Sequence, residues 1–281
     1  MMKLPNKPII LLIFVITLGF FCFWQNNSIV TSEFVYVNSK IPSEFSGYKI
    51  VHISDLHNKE FGKDQKDILN KIKSESPDII IITGDLIDRR KYDLDTAMTF
   101  ISGAIKIAPV FYVSGNHEAW SGEFSLIKER LRIEGVHVLD NEEFEIIKET
   151  GKIKLLGLSD PAFLTDNYME SKDYSKLNIQ LKGWAKEDSF KILLSHRPEL
   201  FNMYLKNNID LIFSGHAHGG QIRIPFLGGI FAPDQGLFPK YTSGSYNKDA
   251  TTMFVSRGLG NSIAPVRIFN RPEIIVVTLK K

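Results

Sequence analysis

The stretch Asp78-Ile79-Ile80-Ile81-Ile82-Thr83-Gly84-Asp85-Leu86-Ile87-Asp88 decides the fold of this chain. Its first half is a short run of β-branched residues, which is typical of a strand that is buried on both faces. The run stops at Gly84-Asp85, where a glycine permits a sharp turn. A buried strand that ends in acidic residues predicts a parallel sheet with polar side chains at its carboxyl edge.

An apolar run followed by a polar motif occurs four more times along the chain. The motifs are Asp55-Leu56-His57, Gly115-Asn116-His117-Glu118, Ser195-His196 and Gly215-His216-Ala217-His218. With Gly84-Asp85-Leu86-Ile87-Asp88 they hold five of the seven histidines. Each motif alone is a weak signal, because Gly-Asp is often only a turn and a lone histidine is more often packed in a core. Together, at five strand ends, they predict one site at one edge of a sheet.

Apolar residues recur at helical spacing between these strands, for example at Leu94, Met98 and Ile101. We also expect a hairpin over residues 136–160, a short helix after Arg197-Pro198 and a closing strand at residues 274–279. The alternation of strands and helices predicts an α/β fold.

The residue types of the motifs point to metal chemistry. Asp, Asn and His side chains bind divalent ions, and seven of them converging are enough to hold two. A carboxylate can bridge two cations about 3.5–4 Å apart, and such a pair suits in-line attack on a phosphate ester. A leaving alkoxide needs a proton, which an unligated histidine supplies near neutral pH.

In their order, the motifs resemble the pattern D-x-H, G-D-x-x-D, G-N-H-[ED], H, G-H-x-H of the calcineurin-like metallophosphoesterases, over roughly residues 48–279. Three further stretches, Gly215–Gln221, Ser256–Gly260 and Arg267–Glu273, are similar to the membrane-associated bacterial branch typified by the phosphodiesterases YkuE and YaeI. The resemblance implies a four-layer α/β/β/α sandwich, an α/β metallophosphoesterase fold that here follows an N-terminal membrane anchor helix.

The resemblance also implies a role for each motif residue. The implied ligands are Asp55, His57 and His218 for one metal, Asn116, His196 and His216 for the other, and Asp85 for both. His117 would protonate the leaving oxygen, and Asp88 would orient it. We expect two divalent metal ions as cofactors, with Mn²⁺ favoured and Fe²⁺ or Zn²⁺ also compatible with these ligands.

Residues Ile9 to Trp24 form a run of 16 residues without a charge, preceded by Lys3 and Lys7. As a helix this run is about 24 Å long at about 1.5 Å per residue. We interpret it as a membrane anchor; a cleaved secretion signal and a core helix are the alternatives. The lysines favour a cytoplasmic N-terminus, although Lys40 near the far end of the run counts against it. We expect a single-pass protein of the cell membrane whose catalytic domain is extracytoplasmic. The predicted division is an anchor and linker over residues 1–32 and a metallophosphoesterase domain over residues 33–281.

The charge of the chain argues against nucleic acid as a partner. The formal net charge is +2 with a sequence pI of about 8.4, and the only basic run is Arg89-Arg90-Lys91. We interpret that run as a solvated loop. His52 and His137 belong to no motif, and we expect them in the core. Asp160 follows a predicted strand and either supports the site or forms a turn.

The predicted function is a two-metal-dependent phosphoester hydrolase, a phosphodiesterase acting on a substrate at a membrane surface. One alternative is a lipid-linked pyrophosphate hydrolase of the UDP-2,3-diacylglucosamine type, and a non-catalytic metal-bound scaffold is an alternative of another class. Residues 224–239, which follow the last motif, are rich in Gly, Pro and Phe. They are either a loop folded onto the core or an exposed apolar lip for a lipid-linked phosphoester.

Overall fold

The structure is a computed structural model that describes residues 7–164, 173–261 and 265–281. Lys3, which precedes the expected anchor, lies outside the described residues. The helices are α1 (Lys7–Asn27), α2 (Lys66–Glu75), α3 (Leu94–Ala104), α4 (Asn116–Ser121), α5 (Phe124–Ile133), α6 (Ser175–Trp184) and α7 (Phe201–Leu205).

Most of the strands are short, and the longest contain eight residues. In chain order they are β1 (Val30–Val37), β2 (Lys49–Ile53), β3 (Ile79–Thr83), β4 (Val110–Val113), β5 (His137–Val138), β6 (Glu142–Lys148), β7 (Gly151–Leu158), β8 (Lys191–Ser195), β9 (Leu211–Ser214), β10 (Arg223–Ile224), β11 (Gly228–Gly229), β12 (Phe231–Ala232), β13 (Gly236–Leu237), β14 (Gly244–Lys248), β15 (Thr251–Val255) and β16 (Glu273–Lys280).

Two six-stranded sheets face each other, with strand orders β1-β16-β2-β3-β4-β5 and β14-β15-β9-β8-β7-β6. The strands that precede the motifs run parallel within their sheets: β2, β3 and β4 in the first, β8 and β9 in the second. Helices α2, α3 and α5 cover the outer face of the first sheet, and α6 and α7 cover the outer face of the second. The four-layer α/β/β/α sandwich is confirmed.

Strand β3 shows why its sequence is continuously apolar. All five of its residues are buried. Ile79 and Ile81 face the core between the two sheets, whereas Ile80 and Ile82 face the helices. Side chains alternate across a strand, so a strand with a core on each face needs apolar residues at every position.

The smaller elements that the sequence predicts are also present. Strands β6 and β7 form the expected hairpin, α7 lies after Arg197-Pro198, and β16 is the closing strand. Strand β1 begins at Val30 and pairs with β16, with Val30 opposite Glu273. The expected boundary after residue 32 therefore falls inside a strand of the first sheet, and we propose that the domain begins at Val30.

Residues 224–239 form a projecting loop that we call the lip. It contains two small antiparallel pairs, β10 with β11 and β12 with β13. Ala232 is buried. The side chains at the two tips of the lip, residues 226–227 and 237–238, are exposed, and Phe226 is fully so. These apolar side chains are exposed rather than folded onto the core.

Candidate metal centre

Each motif lies immediately beyond the carboxyl end of a strand, at an edge that the two sheets share. Asp55 and Asp85 follow β2 and β3 in the first sheet, while His196 and His216 follow β8 and β9 in the second. The backbone turns sharply there, with φ values of 53° at Asp55, 52° at Asp85 and 63° at His216. Non-glycine residues rarely adopt positive φ, and such strain concentrates at functional sites.

Four side chains from three motifs form a first buried cluster. His57 Nε2 lies 3.2 Å from His218 Nε2 and 3.5 Å from Asp85 Oδ2. Asp55 Oδ1 lies 3.3 Å from His218 Nε2 and 3.9 Å from His57 Nε2. Ligands bound at about 2.0–2.2 Å to one ion lie roughly 3 Å or more from each other. These atoms therefore face a common point at a spacing that a metal ion fits.

A second cluster lies around His196. Its Nε2 atom is 3.1 Å from Asn116 Oδ1, 3.2 Å from His216 Nδ1 and 3.3 Å from Asp85 Oδ2. The other nitrogen, Nδ1, lies 2.6 Å from the backbone oxygen of Thr83. If Nδ1 donates to that oxygen, Nε2 keeps a lone pair for an ion.

Asp85 joins the two clusters, because its Oδ2 atom faces His57 on one side and His196 on the other. Its second oxygen, Oδ1, accepts a hydrogen bond from the backbone nitrogen of His117 at 2.8 Å. Gly115 makes this possible, since a Cβ atom there would lie 2.3 Å from Asp85 Oδ1. The geometry suits a carboxylate shared by two ions.

The electrostatics of the centre also call for cations. Burial opposes ionisation of Asp85, yet the histidines around it, led by His196, hold its pKa well below its usual range. Burial lowers the pKa of His57 to about 3, so this imidazole is neutral and offers a lone pair. Burial also opposes a charge on His196, but the nearby Asp85 raises its pKa to about 10. Buried carboxylates beside imidazole nitrogens form a donor set that fits divalent ions.

His117 lies beside this centre, in a cleft that is also lined by Trp120 and Pro233. Its Nδ1 atom accepts a hydrogen bond of 3.2 Å from the backbone nitrogen of Arg89 and lies 3.6 Å from Asp88 Oδ1. Burial lowers the pKa of His117, but Asp85 and Asp88 outweigh burial and raise it overall. Asp88 itself is held by Arg90, with one contact of 2.8 Å.

Glu118 is a part of the site to which the sequence assigns no role. Its buried carboxylate accepts backbone hydrogen bonds of 2.8 Å from Asp85, 2.7 Å from Leu86 and 2.7 Å from Gly115. These bonds tie the turn after β3 to the turn after β4. The local signal is its motif position and its bond to Gly115, three residues before it, whereas its bonds to Asp85 and Leu86 span 33 and 32 residues.

An ion-pair network lies behind His216, and no motif in the sequence predicts it. Arg197 is buried and donates two hydrogen bonds to Asp160, of 2.6 Å from Nε and 2.9 Å from Nη2. Its Nη1 atom contacts Asp234 of the lip and lies 2.7 Å from His216 Nε2. Asp160 therefore supports the site by binding Arg197. It also begins a turn, because its Oδ1 atom accepts a hydrogen bond from the backbone nitrogen of Ala162.

The stretch Ser256–Gly260 supports the first cluster from behind. A Cβ atom at Gly258, where φ is +69°, would lie 2.7 Å from the Cβ of Asp55. At Gly260 a Cβ atom would lie 2.3 Å from the backbone oxygen of Leu56. Only glycine permits this close approach. His52 is buried, as expected, and lies 2.8 Å from Thr83 Oγ1. The prediction that His137 lies in the core is wrong: it is exposed on β5, where its ring stacks on Phe111 at the end of the sheet.

Comparison with known proteins finds relatives that include phosphoesterases and related hydrolases. A family model described as calcineurin-like phosphoesterase matches residues 48–220. The Bacillus subtilis metallophosphoesterase YkuE is 32% identical, over 93% of this chain and 89% of its own length. The Escherichia coli phosphodiesterase YaeI is 27% identical, over 83% of this chain and 82% of its own length. The UDP-2,3-diacylglucosamine pyrophosphatase LpxG of Chlamydia muridarum is 27% identical, over 85% and 86%.

The region matched by the family model contains all five motifs, from Asp55 to His218. Calcineurin-like phosphoesterases use divalent metals, and this chain carries a buried His and Asp cluster that can hold them. The fold and the order of the motifs agree with this match. The chain therefore belongs to the calcineurin-like phosphoesterase family.

Proposed function

We propose that this chain is a two-metal phosphodiesterase that acts at a membrane surface. The strongest support for two metal ions is the position of Asp85 Oδ2. This atom lies 3.5 Å from His57 Nε2 and 3.3 Å from His196 Nε2. A single buried carboxylate oxygen between two ligand clusters suits a pair of adjacent ions. The likeness to YaeI supports the diester as substrate.

The proposed ligands are the seven motif residues, divided as the two clusters divide them. When bound, divalent ions supply Lewis acidity, activate water near neutral pH and neutralise charge on the phosphate. Asp55, His57 and His218 hold one position, Asn116, His196 and His216 hold the other, and Asp85 contributes to both. We expect Mn²⁺ to support activity, with Fe²⁺ and Zn²⁺ as the other candidates.

His117 is the proposed proton donor to the leaving oxygen. In the neutral ring Nδ1 accepts a hydrogen bond from the backbone of Arg89 and Nε2 carries the proton. The charged ring, which is the form that donates a proton, carries one on Nδ1 as well. Asp88, at 3.6 Å, favours the charged ring electrostatically rather than through a hydrogen bond. Asp88 thereby helps to keep a proton on His117 for transfer.

Helix α1 supports action at a membrane. It has 21 residues and a mean hydropathy of 2.2, which are enough to cross a bilayer by length and composition. The C-terminal end of α1 is bonded to the folded domain, and Gln25 is buried there. This docking favours a retained anchor over a cleaved signal. With Lys7 at the other end, the positive-inside rule places the domain on the extracytoplasmic side.

A lipid-linked pyrophosphate is the second candidate substrate. The likeness to LpxG and the exposed apolar side chains of the lip both favour it. Pro233 of the lip lines the same cleft as His117 and His218. A lipid-linked substrate could then lie against the lip while its phosphate reaches the metal centre.

The test uses the full chain, purified in mild detergent, with bis-p-nitrophenyl phosphate and Mn²⁺. We expect hydrolysis that stops on chelation and returns with added Mn²⁺, together with two bound ions per chain. Two bound ions without hydrolysis of diesters, monoesters or pyrophosphates would contradict the proposal and support the non-catalytic scaffold. Comparison of a lipid pyrophosphate in micelles with the soluble diester separates the two candidate substrates.

A further inference from the structure

The C-terminal end of α1 is bonded to residues 265–273, which we call the socket. Gln25 Oε1 accepts a hydrogen bond of 3.3 Å from the backbone nitrogen of Asn270. Asn26 Oδ1 accepts one of 3.1 Å from the backbone nitrogen of Arg267. Such bonds between polar groups, some of them buried, fix the helix end against the domain.

Aromatic contacts reinforce this junction on the side of the helix. The ring of Phe21 lies 5.7 Å from that of Phe269 in an edge-to-face arrangement. The guanidinium of Arg271 lies 4.7 Å from the centre of the Trp24 ring. Phe269 is 53% exposed despite this contact, and its backbone has a φ of 51°. The socket therefore presents an exposed aromatic ring directly beside the last turns of the apolar helix.

The lip is bonded to the same socket. Its first strand pairs with the socket through the backbone, because Arg223 donates a hydrogen bond of 3.0 Å to the oxygen of Ile268. Asn270 Nδ2 donates to the oxygen of Gln221 at 2.8 Å, just before the lip. Phe226 and Leu227 line one shallow surface together with Phe269. The helix end, the socket and the first tip of the lip thus adjoin one another and form one face, which Arg223 and Arg271 border.

This face has the composition of a membrane-contacting surface. At the two tips of the lip, Phe226 is fully exposed, and Leu227, Leu237 and Phe238 are 71%, 70% and 69% exposed. Residues 224–233 and 236–239 contain no charged side chain. Single exposed apolar residues are ordinary, but a contiguous group of them marks an interaction site.

We propose that the lip tips and Phe269 insert into the interfacial layer of the bilayer leaflet at the C-terminal end of α1. The inference rests on the proposed membrane anchorage. Trp24, an aromatic residue typical of the membrane interface, lies beside the socket and sets the depth of the face. Phe20 and Phe23 are exposed on the same helix, which favours lipid over a protein partner as the occupant of this face.

The consequence concerns the substrate class. Pro233 lines the metal cleft and lies between the two inserted tips along the chain. Insertion of the lip would bring this cleft towards the level of the lipid headgroups, where the phosphate of a lipid lies. A phosphoester of a membrane lipid reaches the centre without leaving the bilayer.

Depth measurements at single cysteines test this face. On a Cys22→Ala background, which removes the only cysteine, we would label Phe226→Cys and Leu237→Cys with an environment-sensitive fluorophore. The full chain would be placed in lipid nanodiscs, with doxyl-labelled lipids as quenchers. Ile179→Cys is the matched control, because Ile179 lies on α6 and is 69% exposed.

We expect blue-shifted emission and strong quenching by doxyl lipids at positions 226 and 237, with water-like, unquenched emission at 179. Emission at 226 and 237 equal to that at 179 would overturn the inference. Shielding without quenching by lipid would also overturn it, since it would indicate a protein partner or a second copy of the chain.

Two further measurements on the same labelled variants, reconstituted in liposomes, separate this inference from the proposed function. Retention in membranes after an alkaline carbonate wash tests the anchor, and hydrolysis that depends on Mn²⁺ tests the enzyme. An anchored, active protein with unquenched labels would refute the membrane face alone. Loss of the protein in the wash would refute both the anchor and the face.

Discussion

The carboxylate of Asp234 lies 3.0 Å from Nε2 of His216, so the lip makes direct contact with the metal centre. His216 faces His196 with its other nitrogen, Nδ1. If Asp234 accepts the hydrogen of Nε2, the lone pair of Nδ1 is left for an ion. Arg197, whose Nη1 atom is 2.7 Å from the same Nε2, can only donate and would favour the opposite tautomer.

Asp234→Ala is therefore expected to weaken the second metal position by roughly 10- to 100-fold, as is typical when the partner of a ligating histidine is lost. Asp234→Asn keeps an oxygen acceptor and should weaken it less. Calorimetric titration with Mn²⁺ measures both effects, with Asp249→Ala, at an exposed turn, as control. Unchanged affinity in Asp234→Ala would exclude the tautomer role.

Asp85→Asn should damage the centre more than any other single ligand change. The substitution removes a negative charge next to both clusters and leaves the repulsion of two ions without compensation. Metal content per chain after dialysis is the measurement, and Asp249→Asn is the matched control. Two ions retained by Asp85→Asn would remove this residue from the bridging role.

His117→Ala should keep both ions and lose about 10²- to 10⁴-fold in turnover, as expected for a lost general acid. The loss should be smaller for a p-nitrophenyl ester than for an alkyl ester, because an activated leaving group scarcely needs the proton. Turnover numbers on the two substrates provide the test. Equal losses on both would count against His117 as the proton donor.

Gly115→Ala should weaken the centre although it removes no ligand. The added Cβ would lie 2.3 Å from Asp85 Oδ1 and 2.6 Å from the nitrogen of Asp85, so the bridging side chain must move. Gly183→Ala is the control, because nothing lies within 4 Å of its added Cβ and it sits inside α6. We expect metal loss and a lower Tm for the first variant and an unchanged or higher Tm for the second. Two tightly bound ions in Gly115→Ala would contradict the packing argument.

The strand arrangement and the convergence of the motifs could be predicted because both follow from short-range patterns. A run such as β3 shows its burial by composition, and parallel strands bring their carboxyl ends to one edge. The network of Arg197, Asp160 and Asp234 could not be predicted. Asp160 and Asp234 each lie 37 residues from Arg197, and the three residues lie on separate loops. The motif marks the position of Glu118 and its capping bond to Gly115, but not its bonds to the turn after β3, which lies more than 30 residues earlier. The assignment of roles to the seven ligands and to His117 remains a prediction.

The pairing of β1 with β16 has a consequence for how the protein is made. Ser32 in β1 donates a hydrogen bond of 2.6 Å to Glu273 in β16, across 241 residues of sequence. During synthesis β1 emerges directly after α1, but the strand between β1 and β2 in the sheet is the last to be translated. Contacts so distant in sequence form late in folding. The first sheet closes, and the socket engages the helix, only when residues 265–280 have been made, so a chain that stops before them would keep α1 without a domain docked to it.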